Sequence, residues 1–301
     1  MLKLKAWLGA ARLRTLPLSL SGIIVGTTLA HIAGKEDSLI FILALFTTVA
    51  LQVTSNFAND YGDGVKGTDG LDRIGPKRAL QGGQLSRREL KNGIIVAVVS
   101  CLLLVLLLLY VAFKEQFVHF LIFFALGLLS IWASIKYTVG KNAYGYRGYG
   151  DVFVFLFFGL LSVLGTQFLF TQTIPFDSFL PAFTIGFLST SVLNLNNLRD
   201  FASDKKAEKN TVIVKMGISK GKTYHYILLS SAIICWLLYL SRHFSSWENA
   251  ISMIAFIPII FHLKAVRGIE DPKYFDPELK KVALSTFLLA ILFYFGYYNF
   301  L

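Results

Sequence analysis

Cysteine and histidine are scarce in this sequence. Its 301 residues include two cysteines, Cys101 and Cys235, and five histidines. Both cysteines lie in apolar stretches without metal-ligand spacing, which excludes a disulfide framework beyond a single bond. The histidines are scattered and form no H-x-x-x-H pair. We therefore assign no redox or metal chemistry to either residue type.

Charged residues are also few, at 16%, whereas apolar residues make up 55% of the chain and the mean hydropathy is +0.61. Soluble domains average roughly 45–50% apolar residues. A run of about 18 or more apolar residues can span a bilayer, and nine such runs occur. We therefore predict an all-α, polytopic membrane protein that forms one domain over residues 1–301. The predicted spans are roughly 15–33, 38–58, 93–113, 117–135, 152–170, 179–198, 225–241, 247–263 and 282–300.

The sequence lacks a convincing signal-peptide cleavage site. Basic residues precede the first span, but its apolar part is too long for a signal peptide, so we expect an uncleaved helix. With nine spans, 26 of the 29 Lys and Arg residues fall on the side that carries the N-terminus. The positive-inside rule makes that side cytoplasmic. Only Lys35, Lys114 and Arg242 fall on the opposite side.

The net charge of +11 does not indicate nucleic-acid binding. Part of the positive charge is a topology signal, because cytoplasmic loops of membrane proteins are enriched in Lys and Arg. The remainder indicates an anionic partner at the cytoplasmic face of the bundle.

Acidic and amide residues gather where the second span ends, in "NFANDYGDGVKGTD" over 56–69. If the helix continues to Asp63, then Asn56, Asp60 and Asp63 recur at i, i+4 and i+7. Asn59 and Asp63 form a further i, i+4 pair. This spacing places the polar groups on one face of the helix.

A second cluster, "NLNNLRDFASD", closes the sixth span. Asp200 and Asp204 are again spaced i, i+4, and Asn196 and Asn197 precede them. The two clusters lie at the same predicted side of the bundle, each after a similar helix pair. This arrangement suggests a faint internal repeat.

A carboxylate at membrane depth costs roughly 2.5–3.5 kcal/mol, so these acids need a positive partner. Only Lys66 lies close to Asp60 and Asp63 in the sequence. Mg²⁺ suits carboxylate and amide oxygens and completes its shell with substrate phosphate. The alternative is that the acids cap helices or pair with loop cations. An EF-hand at 59–70 is excluded, because Gly70 stands where a bidentate Glu is required.

Three cytoplasmic loops, 64–92, 136–151 and 199–224, are rich in glycine or basic residues and are predicted to lie over the acidic clusters. Lys and Arg donate to phosphate oxygens, and Arg can bind two at once. Acids, bases and glycine-rich loops next to lipid predict a site for a diphosphate carried on a lipid tail. The candidate donors are Lys77, Arg78, Lys141, Arg147 and Lys205.

At these residues the chain resembles the UbiA superfamily of intramembrane prenyltransferases. The likeness extends over the first 220 residues, whereas the last 80 contribute little that is diagnostic. The third acid of the first family motif is replaced here by Gly67, and Asp69 lies two residues further on. The matches are N-D-x-x-D at Asn59 to Asp63, D-x-x-x-D at Asp200 to Asp204, and Y-x-x-x-K at Tyr137 and Lys141.

The resemblance implies nine transmembrane helices around a lipid-accessible cavity, with the active site at the cytoplasmic side and Mg²⁺ as cofactor. The implied metal ligands are Asn59, Asp60, Asp63, Asp200 and Asp204. Of these, Asp63, Asp200 and Asp204 are also the implied catalytic residues, together with Tyr137 and Lys141.

The resemblance also implies the substrates. It is strongest to members that transfer a polyprenyl group from polyprenyl diphosphate to 1,4-dihydroxy-2-naphthoate in menaquinone biosynthesis, in the bacterial cytoplasmic (inner) membrane. Pyrophosphate and CO₂ would be lost, and demethylmenaquinol formed. Lys77, Arg78 and Lys205 are the candidates to bind diphosphate, and Arg147 or Arg14 the candidates for the acceptor's carboxylate. Membrane lipid is the only other partner expected, and no obligate protein partner is evident.

Three alternative functions make different demands on the sequence. A superfamily member could use another aromatic acceptor, such as 4-hydroxybenzoate. A cation-coupled transporter would place its acids near the bilayer midplane, within broken helices, rather than at helix ends. A CDP-alcohol phosphotransferase would carry a D-G-x-x-A-R motif, which is missing here.

Overall fold

The computed structural model describes residues 2–67, 74–75 and 78–298. Lys77 and Asp69 therefore lie outside the described residues. Within these ranges the regular structure is entirely helical, and nine segments are long and apolar enough to cross a membrane, which confirms the predicted class and span count. The helices are α1 (Leu2–Ala11), α2 (Leu16–Ile32), α3 (Ser38–Lys66), α4 (Arg87–Phe113), α5 (Phe117–Lys136), α6 (Gly150–Val154), a π-helix (Phe155–Gly165), α7 (Thr166–Thr171), α8 (Phe179–Arg199), α9 (Phe201–Lys206), α10 (Val212–His243), a 3₁₀ helix (Trp247–Phe256), α11 (Ile257–Gly268) and α12 (Phe275–Tyr297).

The N-terminal segment is more ordered than predicted, because α1 precedes the first predicted span. Arg12 adopts a left-handed conformation with φ of 50° and separates α1 from α2. The Nδ2 group of Asn56 donates to the carbonyl of Ala11 at 2.8 Å, which satisfies one of the carbonyls exposed at the end of α1. The break between α1 and α2 is thus attached to α3, close to the first acidic cluster.

Helix α3 carries the first acidic cluster within its last turns. Its N-terminus is capped by Asp37, whose side chain accepts from the N–H groups of Leu39 and Ile40. The helix ends at Lys66, and Gly67 follows with φ of 69°, a left-handed cap that favours glycine. The helix therefore extends eight residues beyond the predicted end of the span at 58 and includes Asp63, which meets the condition for the polar groups to share one face.

The region of the second cluster contains more helix than predicted. Helix α8 ends at Arg199, and the short α9 follows Asp200. The hydroxyl of Thr211 then caps α10 by accepting from the N–H of Val214, so the predicted loop 199–224 is largely helical. Helix α10 is kinked at Gly217, where φ is 83°.

Small residues allow α2 to pack closely against the π-helix. A Cβ built at Gly22 would lie 1.6 Å from Oγ of Ser162, and one at Gly26 would lie 2.4 Å from the carbonyl oxygen of Val163. Small residues spaced four apart are a common device for bringing transmembrane backbones together. This contact forms one wall of the large cavity described below.

We expect Gly26→Ala to destabilise the protein by about 1–3 kcal/mol, because the added methyl group forces α2 away from the π-helix. The midpoint of thermal unfolding in detergent measures the effect. Gly9→Ala is the control, since a Cβ at Gly9 meets no atom within 4 Å. Equal midpoints for both variants would contradict close packing at Gly26.

Candidate active site

A cavity of about 1020 Å³ opens among the helices and joins a polar end to an apolar end. At the polar end it is lined by the acidic cluster of α3. Its apolar walls reach Leu109 near the end of α4, Phe123 in α5 and Leu169 in α7. The cavity therefore follows the bundle from one side of the membrane towards the other. Such a shape suits an amphiphile with a charged head and a long apolar tail.

The first acidic cluster is paired with a basic residue from the following loop. A guanidinium nitrogen of Arg78 lies 2.7 Å from Oδ2 of Asp63, and the hydroxyl of Tyr146 donates to Oδ1 of Asp63 at 2.6 Å. Arg78 also donates to the carbonyl of Asn59 at 2.7 Å. Both side chains of the Arg78–Asp63 pair are at most 9% exposed, so this charge pairing is shielded from water.

The second acidic cluster is held by Arg199, which is almost completely buried. Nε and Nη2 of Arg199 each bind the Asp200 carboxylate at 2.8 Å, in a bidentate arrangement. Nη1 binds Asp276 at the start of α12 at 2.5 Å, and Nη2 also donates to Asn196 at 2.7 Å. One guanidinium therefore joins the end of α8 to the first turn of α12.

Lys209 lies between the two clusters and lines the cavity. Its Nζ is 3.5 Å from Oδ1 of Asp204. Burial alone would lower the pKa of Lys209, but the carboxylates of Asp204 and Asp63 outweigh it and hold the pKa above its usual value. Burial raises the pKa of Asp204 to about 6. The lysine thus carries a positive charge that neutralises acids from both clusters.

Most of the predicted ligand-binding residues meet at this cavity. Asn59, Asp60, Asp63 and Arg78 line its polar end. Asp200 and Asp204 are buried behind it and contact two lining residues, as described above. Arg14 and Tyr137 also line the cavity.

The structure does not bring three of the predicted basic residues to the cavity. Lys141, Arg147 and Lys205 are exposed and line none of its walls. Arg147 donates to Oδ1 of Asn142 at 2.5 Å, and its carbonyl accepts from Lys215 at 2.7 Å. Their roles in substrate binding remain predictions, and Lys77 lies outside the described residues.

Tyrosine rings form part of the cavity wall near the clusters. The ring of Tyr137 fits between two glycines, because a Cβ at Gly145 or Gly150 would lie 3.0 or 3.2 Å from its Cε2 atom. Burial raises the pKa of Tyr137, so the phenol stays protonated. Tyr144 meets Tyr137 edge to face at 5.4 Å and stacks on Phe153 at 3.9 Å.

Several cavity residues were not identified from the sequence. They are Arg12, Arg199, Lys209, Asp276 and Lys280. Arg199 and Lys209 flank the second motif, so a stricter search for cations beside the acids could have found them. The two residues of α12 carry no comparable signal, because the last 80 residues contain no recognisable motif.

The donor set fits a divalent cation whose shell is completed by other oxygens. Among the described residues, Oδ1 of Asp60, Oδ2 of Asp204 and Oδ1 of Asn197 are buried without a hydrogen-bond partner. Carboxylate and amide oxygens are the ligands that Mg²⁺ prefers. Within the same part of the chain, no three His, Cys, Asp or Glu residues converge closely enough to hold a metal ion by themselves. Additional oxygen donors, such as those of a diphosphate, would therefore be needed.

Comparison with known proteins decides the family. The model of the UbiA prenyltransferase family matches residues 19–275, which include both aspartate clusters. The chain belongs to the UbiA prenyltransferase family. This membership confirms the resemblance drawn from the sequence and identifies an integral membrane prenyltransferase rather than a transporter.

Two relatives of this UbiA-family chain are similar over nearly their whole length. A 1,4-dihydroxy-2-naphthoate octaprenyltransferase of Haemophilus influenzae is 43% identical over 296 residues, which cover 98% of this chain and 96% of that protein. A protein of the same name from Escherichia coli is 42% identical over 294 residues, which cover 97% and 94%.

Solved structures show that the UbiA fold is shared. A UbiA homolog from Aeropyrum pernix in its apo form superposes with a TM-score of 0.71 at 13% identity, covering 93% of this chain and 97% of that one. A UbiA homolog from Archaeoglobus fulgidus bound to DMAPP and Mg²⁺ superposes with a TM-score of 0.64 at 15% identity, covering 96% and 99%. At these identities the likeness concerns the fold alone.

Proposed function

We propose that this UbiA-family protein transfers a polyprenyl group from polyprenyl diphosphate to 1,4-dihydroxy-2-naphthoate, as a step of menaquinone biosynthesis. The observation that carries the proposal is the cavity, which joins paired acidic and basic groups at one end to a long apolar interior. The names of the relatives at 42–43% identity support this choice of acceptor over 4-hydroxybenzoate.

The residues that would hold Mg²⁺ are the carboxylates of Asp60, Asp63, Asp200 and Asp204, together with the amide of Asn59. When bound, the ion supplies Lewis-acid stabilisation of the pyrophosphate leaving group. The homolog of the same fold that was solved with DMAPP and Mg²⁺ supports the use of a divalent cation.

Two cations of the chain are in position to act on the diphosphate directly. Arg78 and Lys209 line the cavity beside the acids that they neutralise. In the ligand complex their donors can bind phosphate oxygens, with Arg78 able to bind two at once. They would thereby balance negative charge as it accumulates on the leaving group.

The proposed chemistry balances without a general base. The bond between the allylic carbon and the diphosphate oxygen breaks, and its electron pair leaves with pyrophosphate. The ring carbon that bears the carboxylate forms the new carbon–carbon bond. The bond to the carboxylate carbon then breaks as CO₂ departs, and its electron pair restores the aromatic ring. No proton leaves, which agrees with the phenol of Tyr137 staying protonated.

The aromatic wall suits the positive charge that develops on the allylic group. The rings of Tyr137 and Tyr144 lie at the cavity surface, and aromatic faces attract cations, with greater effect when water is excluded. Phe153 and Phe157 extend this wall into the apolar part of the cavity. The chain therefore orients the allylic carbon and protects it from hydrolysis.

An acceptor assay tests the proposed function. Membranes containing the protein would be incubated with polyprenyl diphosphate and either carboxyl-labelled 1,4-dihydroxy-2-naphthoate or 4-hydroxybenzoate, with and without a chelator. We expect prenylated product and labelled CO₂ in equal amounts from the naphthoate, and loss of both with the chelator. Turnover of 4-hydroxybenzoate alone would overturn the choice of acceptor.

We further infer that the protein lies in the bacterial cytoplasmic membrane with its N-terminus and acidic clusters on the cytoplasmic side. The distribution of Lys and Arg supports this orientation. A reporter that is active only in the cytoplasm should be silent when fused to the C-terminus. An active fusion would contradict the orientation.

A further inference from the structure

Two cavity cations differ from those at the acidic clusters. Arg78, Arg199 and Lys209 each form an ion pair with an aspartate. Arg14 and Lys280 line the same cavity, yet neither forms a salt bridge with any of the residues that the structure describes. These two side chains therefore present positive charge that a ligand can use.

The first turns of α12 fix the position of Lys280. Asp276 and Lys280 are four residues apart and share one face of the helix, where Asp276 binds Arg199 at 2.5 Å. On another face, Oε2 of Glu278 lies 2.5 Å from Nδ1 of His262. The turn is thus anchored to α8 on one side and to α11 on the other, which places Lys280 at the cavity wall.

Arg14 lies in the turn Leu13–Thr15 that precedes α2. Helix α2 packs along α12, and both helices begin on the same side of the bundle, so Arg14 and Lys280 line the same end of the cavity. Leu13 and Pro17 near Arg14, and Leu284 one turn beyond Lys280, line the cavity as well. The combination offers a charged recognition point beside a surface on which a flat apolar ring can lie.

We propose that Arg14 and Lys280 bind the carboxylate of the aromatic acceptor and that its ring lies against these apolar side chains. The inference rests on the proposed function and adds Lys280 as a specificity-determining residue. A single carboxylate matches these two cations, which form no salt bridge within the described part of the chain, and Arg14 can bind both of its oxygens. The diphosphate is better served by Arg78 and Lys209, because these lie beside the acids that would bind its metal.

The test compares two inhibitors that differ only in charge. The acid 1-hydroxy-2-naphthoate and its carboxamide would be measured as competitors of 1,4-dihydroxy-2-naphthoate in the prenylation assay. We expect the wild-type protein to prefer the acid. In Arg14→Gln and Lys280→Gln, the acceptor KM should rise about tenfold, and the preference for the acid should shrink by a similar factor. The KM of polyprenyl diphosphate should stay unchanged.

Lys273→Gln is the matched control. Lys273 lies near the start of α12, is exposed, and pairs with Asp271 at 2.7 Å outside the cavity. Its substitution should leave the acceptor KM and the preference for the acid over the carboxamide at their wild-type values. An unchanged acid preference in Arg14→Gln and Lys280→Gln would overturn the inference, as would a rise confined to the KM of polyprenyl diphosphate. Absence of naphthoate prenylation in the wild-type protein would instead overturn the proposed function.

Discussion

Asp63→Asn is expected to lower prenyl transfer about 100-fold or more. Residues that only support a metal ligand typically cost 10–100-fold when lost, so removing a ligating carboxylate should cost at least as much. The substitution keeps the shape of the side chain and leaves an oxygen that can still accept from Tyr146. The variant should therefore retain the shape of the site while losing its charge match to Arg78 and to a divalent cation.

The measurement is the rate of prenylation over a range of Mg²⁺ concentrations, with thermal unfolding recorded in parallel. Asp200→Asn should behave in the same way, because Asp200 belongs to the second cluster. Asp271→Asn is the control, since Asp271 is an exposed carboxylate outside the cavity. Near-normal turnover of Asp63→Asn and Asp200→Asn at limiting Mg²⁺ would show that the clusters are structural.

The largest effect on stability is expected at His262, which is completely buried between α10, α11 and α12. Its Nδ1 faces Glu278 at 2.5 Å, and its Nε2 faces Nε2 of His225 at 2.7 Å. A neutral His262 ring that donates from Nδ1–H to the Glu278 carboxylate accepts at Nε2 from the Nε2–H group of His225. Lys281 binds the other carboxylate oxygen at 2.7 Å.

His262→Leu should destabilise the protein by about 2–6 kcal/mol, because Glu278 and His225 each lose a buried hydrogen bond to His262, at about 1–3 kcal/mol per group. The corresponding fall in the thermal midpoint is on the order of 10 °C. His243→Leu is the control, since His243 lies in a partly exposed ion pair with Asp177 and should cost less than about 1 kcal/mol. If the two variants unfolded at the same temperature, the buried chain of polar groups would contribute nothing to stability.

The sequence predicted the parts of this protein that depend on local patterns. The length of apolar runs identified nine spans, and the i, i+4 pairs Asn59–Asp63 and Asp200–Asp204 identified the acidic clusters. Both signals arise from residues close together in the chain and do not depend on what the helices pack against. The predicted second span ended near residue 58, whereas α3 continues to Lys66 and is closed by Gly67.

What the sequence did not reveal depends on tertiary contacts. Only Lys66 lies near the first cluster along the chain, yet in the fold Arg78 and Lys209 provide its positive charge. Arg199 meets Asp276 across 77 residues. Helix α1 was overlooked because its boundary is set by a left-handed residue, Arg12, and by a hydrogen bond from Asn56 rather than by hydropathy. No spacing rule connects such residues before the chain has folded.

The internal pairing of the acidic clusters has a thermodynamic consequence. If a divalent cation binds as proposed, Arg78 and Lys209 compete with it for the same carboxylates, so the ion alone must displace them, and a diphosphate alone must approach acids that repel it. When both arrive together, the cations can turn to the phosphate while the acids turn to the metal. Binding of the two is therefore linked, and each should raise the affinity for the other by the same factor. A calorimetric titration of Mg²⁺ with and without a non-hydrolysable prenyl diphosphate measures that factor, and a value of one would show that the ion pairs impose no such coupling.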